Sequence, residues 1–192
     1  MKEPNIRLRA LELEDLDFLY QIENDDRLWE LGVSNVPYSR RVLLDYITSA
    51  SADIYVDNQV RLIVENEQNE QVGILDLTDF DPRHHRAELG IVIKMEFQGQ
   101  GYAKASVSRL LQYARNVLHL QQIYAIVGIR NQKAAKMLQS VGFEGNNVLK
   151  QWLCSQVGYE DAMLFSIFSV KKLHKNLVEP KKSSTFALAN EK

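Results

Sequence analysis

The stretch from Ala87 to Leu118 constrains the fold more than any other part of the chain. The apolar run Leu89-Gly90-Ile91-Val92-Ile93 reads as a strand covered on both faces and lying deep in a sheet. Gly99 and Gly101 interrupt it, and from Ala103 a helical stripe passes through Val107, Leu110, Leu111, Ala114, Val117 and Leu118. Glycine at such a turn permits dihedrals closed to other residues and lets a ligand approach the main chain closely. Free amides at the start of the next helix, aided by its dipole, suit an anion such as a pyrophosphate. A glycine pair can equally well do no more than turn the chain.

The flanks extend this unit into a whole domain. Ile6, Leu8 and Ala10 alternate with Arg7 and Arg9 as in a half-buried strand, and Glu14-Asp15 open a helical run through Leu16, Leu19 and Tyr20. Asp26 to Pro37 reads as loop or irregular helix, followed by a helix with Leu43, Tyr46 and Ile47 on one face. Val60 to Val64 and Val72 to Leu77 flank a turn-like segment and predict an antiparallel hairpin, with a third strand from Ala87 to Ile93. Ile123 to Ile129 predicts a strand, and Asn131 to Val141 a helix capped by Gly142. Val148 to Leu153 and Ala162 to Val170 predict two last strands around a turn near Gly158. The order β-α-α-β-β-β-α-β-α-β-β places the chain in the α/β (α+β) class, a mixed sheet with helices packed on it. One domain is expected over residues 1–172 and a mobile tail over 173–192, where Glu179 to Thr185 is polar and proline-containing.

Composition narrows the function. A formal charge of -2 gives no concentrated cationic face, so a nucleic-acid partner is not expected. Cys154 is the only cysteine, which leaves no internal disulfide and points to a reducing compartment, the cytoplasm. No apolar run is long enough to span a bilayer, so no membrane partner is expected. His84-His85 with Asp81 and Glu88 lie beside Pro82 and Arg83 in a stretch that reads as a solvated turn, and no metal site is assigned. Cys154 reads as a small buried hydrophobe rather than a nucleophile. A homo-oligomer is compatible with the pattern, which does not set an oligomeric state.

Two nucleotide signatures fail on inspection. A dinucleotide fingerprint needs a third glycine where Lys104 stands, and no G-x-x-x-x-G-K-[ST] loop occurs. Gln98-x-x-Gly101-x-Ala103 instead resembles the [RQ]-x-x-G-x-[GA] signature of the GNAT superfamily of N-acetyltransferases. Three further segments resemble that superfamily in the same order: Ala87-Glu88-Leu89-Gly90, the helix from Asn131-Gln132-Lys133-Ala134 to Gly142-Phe143, and the turn Gly158-Tyr159-Glu160-Asp161. The last is similar to a hairpin of spermidine N-acetyltransferases and ribosomal-protein N-terminal acetyltransferases. The likeness covers roughly residues 5 to 170.

The resemblance implies a mostly antiparallel central sheet with helices on both faces, and acetyl-CoA as the donor. It assigns the pantetheine arm to the strand residues Ile91, Val92 and Ile93, and the pyrophosphate to Gln98, Gly99, Gln100, Gly101, Tyr102 and Ala103. Asn131 and Lys133 would meet the cofactor from the next helix, although Asn131 can equally be a plain helix cap. The acceptor amine must be neutral to attack, and Glu88, in an apolar strand that raises its pKa by desolvation, is the candidate base. Pairing of Glu88 with Arg83 or Arg86 is the competing reading.

Many relatives protonate the leaving thiolate from a tyrosine on the later helix, and Leu138 stands at that position. The departure leaves Tyr102, a water or an unassisted thiolate as alternatives, and keeps open an acyl-CoA-binding module with little turnover. The resemblance places the acceptor between Glu23 and Tyr46 and between Ser155 and Asp161. There Asp25, Asp26, Glu30, Glu160 and Asp161 would attract a cationic amine and Arg40 and Arg41 would offset them. A polyamine, another small amine or a peptide N-terminus all fit.

Overall fold

The structure is a computed structural model that describes residues 3–29, 36–51, 53–155 and 158–168. Glu30, part of the turn before Gly158 and the expected tail at 173–192 lie outside the described residues.

Period-2 alternation becomes seven strands: β1 Ile6–Ala10, β2 Val60–Asn66, β3 Gln71–Asp81, β4 Arg86–Ile93, β5 Gln122–Gly128, β6 Glu144–Ser155 and β7 Gly158–Phe168. They form one sheet in the order β1-β2-β3-β4-β5-β7-β6. Every neighbouring pair is antiparallel except β4 with β5. A parallel pair needs a crossover, and the helix after the glycine turn supplies it.

The helices are α1 Leu16–Glu23, α2 Asp26–Trp29, α3 Arg40–Ser49, α4 Ile54–Asp57, α5 Tyr102–Asn116 and α6 Gln132–Ser140. Ser39 caps α3 by accepting from the Val42 amide at 3.2 Å, and Asp53 caps α4 through the Tyr55 amide at 2.9 Å. α4 was not foreseen from the pattern, being a single turn set by that cap. Of the Asp26 to Pro37 segment, the first four residues form α2.

Each face of the sheet carries its own core. Val107, Leu110 and Ala114 of α5 and Leu138 of α6 pack with Leu75, Leu77, Ala87, Leu89, Ile123 and Ala125 on one face. Phe18, Leu19 and Ile22 of α1 and Leu43 and Ile47 of α3 pack with Ile63 and Ile74 on the other. Helices therefore cover both faces, as the resemblance implied. Among the described residues no helix is long and apolar enough to cross a membrane.

Three expectations change. Leu89 and Ile93 are buried, but Gly90, Ile91 and Val92 are only half-buried, because β4 loses its β5 neighbour along that stretch. Val117 is 59% exposed, since α5 ends at Asn116 and the chain turns away from the helical stripe. Cys154 is exposed, because β6 is an edge strand.

Gly73 fixes the spacing of β3 against β4. A Cβ at that position would fall 2.3 Å from the Val92 carbonyl oxygen and 2.7 Å from Ile93 Cδ1. Backbone cannot yield as a side-chain tip can. Gly73→Ala is therefore expected to cost about 3 kcal/mol of stability, read as a lowered midpoint in urea unfolding with unchanged slope.

Candidate active site

The parallel ladder between β4 and β5 contains Arg86 opposite Gln122, Ala87 opposite Ile123 and Glu88 opposite Tyr124, and it stops there. Beyond that point β4 stays paired with β3 as far as Ile93, and β5 stays paired with β7 as far as Gly128. The two strands part at Glu88 and Tyr124. Along the gap, the facing edges of Leu89 to Ile93 and Ala125 to Gly128 have no partner strand in each other. Main-chain N–H and C=O groups need partners, and an extended ligand bearing amides can supply them.

Because β4 and β5 run parallel, the helices that follow them both start at the open end of the gap. At α5, Gly101 is the N-cap with φ +90°, and no side chain caps the helix. The amides of Tyr102, Ala103 and Lys104 are left for an anion, while the first helical bond runs from the Ala105 N–H to the Gly101 carbonyl at 3.0 Å. Gly99 has φ +76°.

Gln98 braces this loop. Its backbone N–H donates to the Met95 carbonyl at 3.3 Å, and its side-chain amide donates to the Ile93 carbonyl at 3.0 Å. Gln100 donates to the Glu96 carbonyl at 2.7 Å. The Tyr102 ring meets Phe97 edge-on, with centroids 5.7 Å apart.

At α6, Asn131 caps the helix: its Oδ1 accepts from the Ala134 amide at 3.1 Å. Lys133 stands exposed in the first turn. Leu138 is 2% exposed and belongs to the core under α5, so it offers no proton and no opening.

Glu88 is half-buried on the face covered by α1 and α3. Burial, with the charge of Asp79 as a smaller contribution, pushes its carboxyl above the usual glutamate range. Among the described residues no cation lies within ion-pairing distance of it. Arg86 pairs with Asp81 at 3.2 Å, and Asp81 also accepts from the Arg83 and His84 amides, each at 3.0 Å. Those bonds turn the chain through Pro82 to His85.

Sequence reasoning missed two groups. Tyr124, directly across from Glu88, has its phenol pushed up by burial and by the charges of Glu88 and Asp79. Two residues along the same face, Arg61 bridges Asp76 at 2.8 Å and Glu23 at 2.7 Å, with its guanidinium over the Tyr46 ring. Both depend on which strands are neighbours, and no residue motif carries that.

Three of the other acidic candidates have partners of their own. Asp25 pairs with Arg27 at 2.6 Å, Glu160 with Arg130 at 3.5 Å and Asp161 with Lys150 at 2.7 Å. Arg40 pairs with Asp17, and Arg41 with Asp45 at 2.9 Å. A groove of about 710 Å³ separates α1 and α2 from the loop after β4, with Phe18, Ile22, Asp25, Asp26, Lys94 and Glu96 on its walls.

This arrangement has known counterparts. The family described as "Acetyltransferase (GNAT) domain" matches residues 5–144. The chain belongs to the GNAT acetyltransferases. A GNAT relative, the spermidine N(1)-acetyltransferase of Vibrio cholerae serotype O1, is 28% identical over 171 residues, covering 89% of this chain and 97% of its own. The structure of spermidine N-acetyltransferase from Vibrio cholerae in complex with CoA and spermine matches with a TM-score of 0.76 at 29% identity, over 85% of this chain and 95% of that one. A dodecameric structure of spermidine N-acetyltransferase from Vibrio cholerae matches with a TM-score of 0.75 at 29% identity, over 89% and 98%. This GNAT protein is an N-acetyltransferase that takes its acetyl group from acetyl-CoA.

Proposed function

We propose that the enzyme acetylates a primary amine of a polyamine in a ternary complex, with Glu88 as the base. The parting of β4 and β5 at Glu88 is the observation that carries this reading. Pantetheine would lie in the gap, its amides standing in for the missing strand along Ile91, Val92 and Ile93. The diphosphate would sit on the amides from Gly99 to Ala103, with Gln98 holding the loop in shape and Lys133 adding a positive charge from α6. Asn131 would present the start of α6 to the cofactor while capping it. The acetyl carbonyl then arrives where the gap closes, beside Glu88.

The chemistry at that point is short. An amine that has lost one proton to solvent attacks the thioester carbon, and the carboxylate of Glu88 takes the second proton as the C–N bond forms. The C–S bond then breaks with its electron pair on sulfur.

A cationic acceptor suits the charge on this face. Asp79 stands beside Glu88, and Asp76 and Glu23 both pair with Arg61 close by. Such a surface attracts an ammonium group more than a neutral peptide end. The Vibrio cholerae relative and the solved Vibrio cholerae structure both carry spermidine in their names, which points the same way. Exposed Trp152 on β6 and Tyr159 on β7 lie near an unpaired sheet edge and support assembly with further copies of the chain, as in the dodecameric relative.

Amine-dependent thiol release from acetyl-CoA should rank spermidine above propylamine and above a peptide with a free N-terminus by at least about tenfold in kcat/KM, and the preference should shrink as salt rises. A peptide N-terminus ranked first would replace the polyamine reading while leaving the donor unchanged.

A further inference from the structure

We propose that Tyr124 is the acid that protonates the departing CoA thiolate. This rests on the reading of Glu88 as the base and of the gap as the pantetheine site.

Register decides from which face Tyr124 projects. Ala87 and Ile123, one residue back in the parallel ladder, both enter the core under α5. Side chains alternate along a strand, so Glu88 and Tyr124 both project from the opposite face, from directly opposed positions. They are also the last pair before the strands separate. A pantetheine that enters from α5 and runs between the strands must end against this pair, with its sulfur beside both side chains.

The positions that the sequence suggested for this acid lie elsewhere. Leu138 is aliphatic and sits in the core on the far face of the sheet. Tyr102 is at the diphosphate end, in the first turn of α5, with its ring against Phe97. Tyr124 is half-buried, and burial, the negative charges of Glu88 and Asp79 and a hydrogen bond that the phenol donates to the Asp79 carboxylate together keep its proton in place at neutral pH.

The adjacency closes a proton circuit. Glu88 takes the proton from the nitrogen after attack, the phenol gives its own proton to sulfur as the C–S bond breaks, and the glutamic acid returns the first proton to the phenolate. One proton has moved from nitrogen to sulfur, and both side chains are restored. No proton has to come from bulk water.

The test compares two donors, acetyl-CoA and its selenoester analogue, whose selenolate departs without needing a proton. Tyr124→Phe is expected to lower kcat about 100-fold with acetyl-CoA and by less than about threefold with the selenoester, with the Kd for acetyl-CoA unchanged. An equal loss with both donors, an unchanged kcat with acetyl-CoA, or a change confined to KM for the amine would each overturn the assignment. Glu88→Gln, measured with the same donors, should be slow with both. Full activity of that variant would remove the base and leave the Tyr124 result to be read by itself.

Discussion

Gly101→Asp is expected to raise the Kd for acetyl-CoA about 100-fold or more while leaving the protein folded. Position 101 has φ +90°, so any side chain there is strained by about 1–3 kcal/mol. Its Cβ would also approach Pro4 Cδ to 3.1 Å, tight but against a ring that can shift. The larger effect is electrostatic. A carboxylate at the N-cap would stand among the amides of Tyr102, Ala103 and Lys104 and repel the diphosphate proposed to lie on them. A loss of about 2.7 kcal/mol corresponds to the expected factor of 100. Gly101→Ala separates the two effects, because it brings the strain without the charge and should weaken binding far less. Calorimetric titration of both variants, with circular dichroism as the check on folding, reads the outcome. Unchanged affinity in the Asp variant would place the diphosphate elsewhere.

The second large effect is expected at Glu88. Glu88→Gln keeps the shape and removes the base, so kcat/KM for the amine should fall by about 100-fold or more. Sign matters in the pH profile. Burial, then Asp79, raises the pKa of Glu88 above the usual glutamate range, and the ionised form is the one that accepts the proton. Activity of the unaltered enzyme should therefore rise with pH through that raised pKa, and the acid limb should disappear in the Gln variant. Stability should move the other way. A carboxyl whose pKa is raised on folding disfavours the folded state once ionised, so the Gln variant should be at least as stable at neutral pH. An active Gln variant with its acid limb intact would exclude Glu88 as the base.

Local pattern carried much of this fold. The alternation in Ile6 to Ala10, the hairpin around Glu65 to Glu70 and the amphipathic stripe of α5 each depend on neighbours in sequence, and each formed as the periodicity predicts. Gly101 and Gly142, both with positive φ, ended or began helices as glycines do. Pairing between distant strands was not legible. That β4 meets β5 for only three residue pairs, and that Tyr124 thereby faces Glu88, depends on how β5 leans on β7. The same limit explains Cys154, whose apolar neighbours suggested burial although β6 proved to be an edge. Asp25, Glu160 and Asp161 read as unengaged charges because Arg27, Arg130 and Lys150 could not be assigned to them without coordinates.

Leu138 is where the sequence argument and the geometry meet most usefully. Aligned alone, it marks a missing acid and invites the reading of a protein that binds acetyl-CoA and does little with it. In the fold it is a packed core residue beneath α5, on the other side of the sheet from Glu88 and Tyr124. The residues at the point where the strands part are Glu88, the proposed base, and Tyr124.

The most direct measurement is thiol release from acetyl-CoA by the full chain, with and without spermidine. Polyamine acetylation requires release that depends on spermidine, saturates with it, and yields acetylated amine in equal amount. Tight binding of acetyl-CoA with no amine-dependent release, from spermidine or any other primary amine, would contradict it.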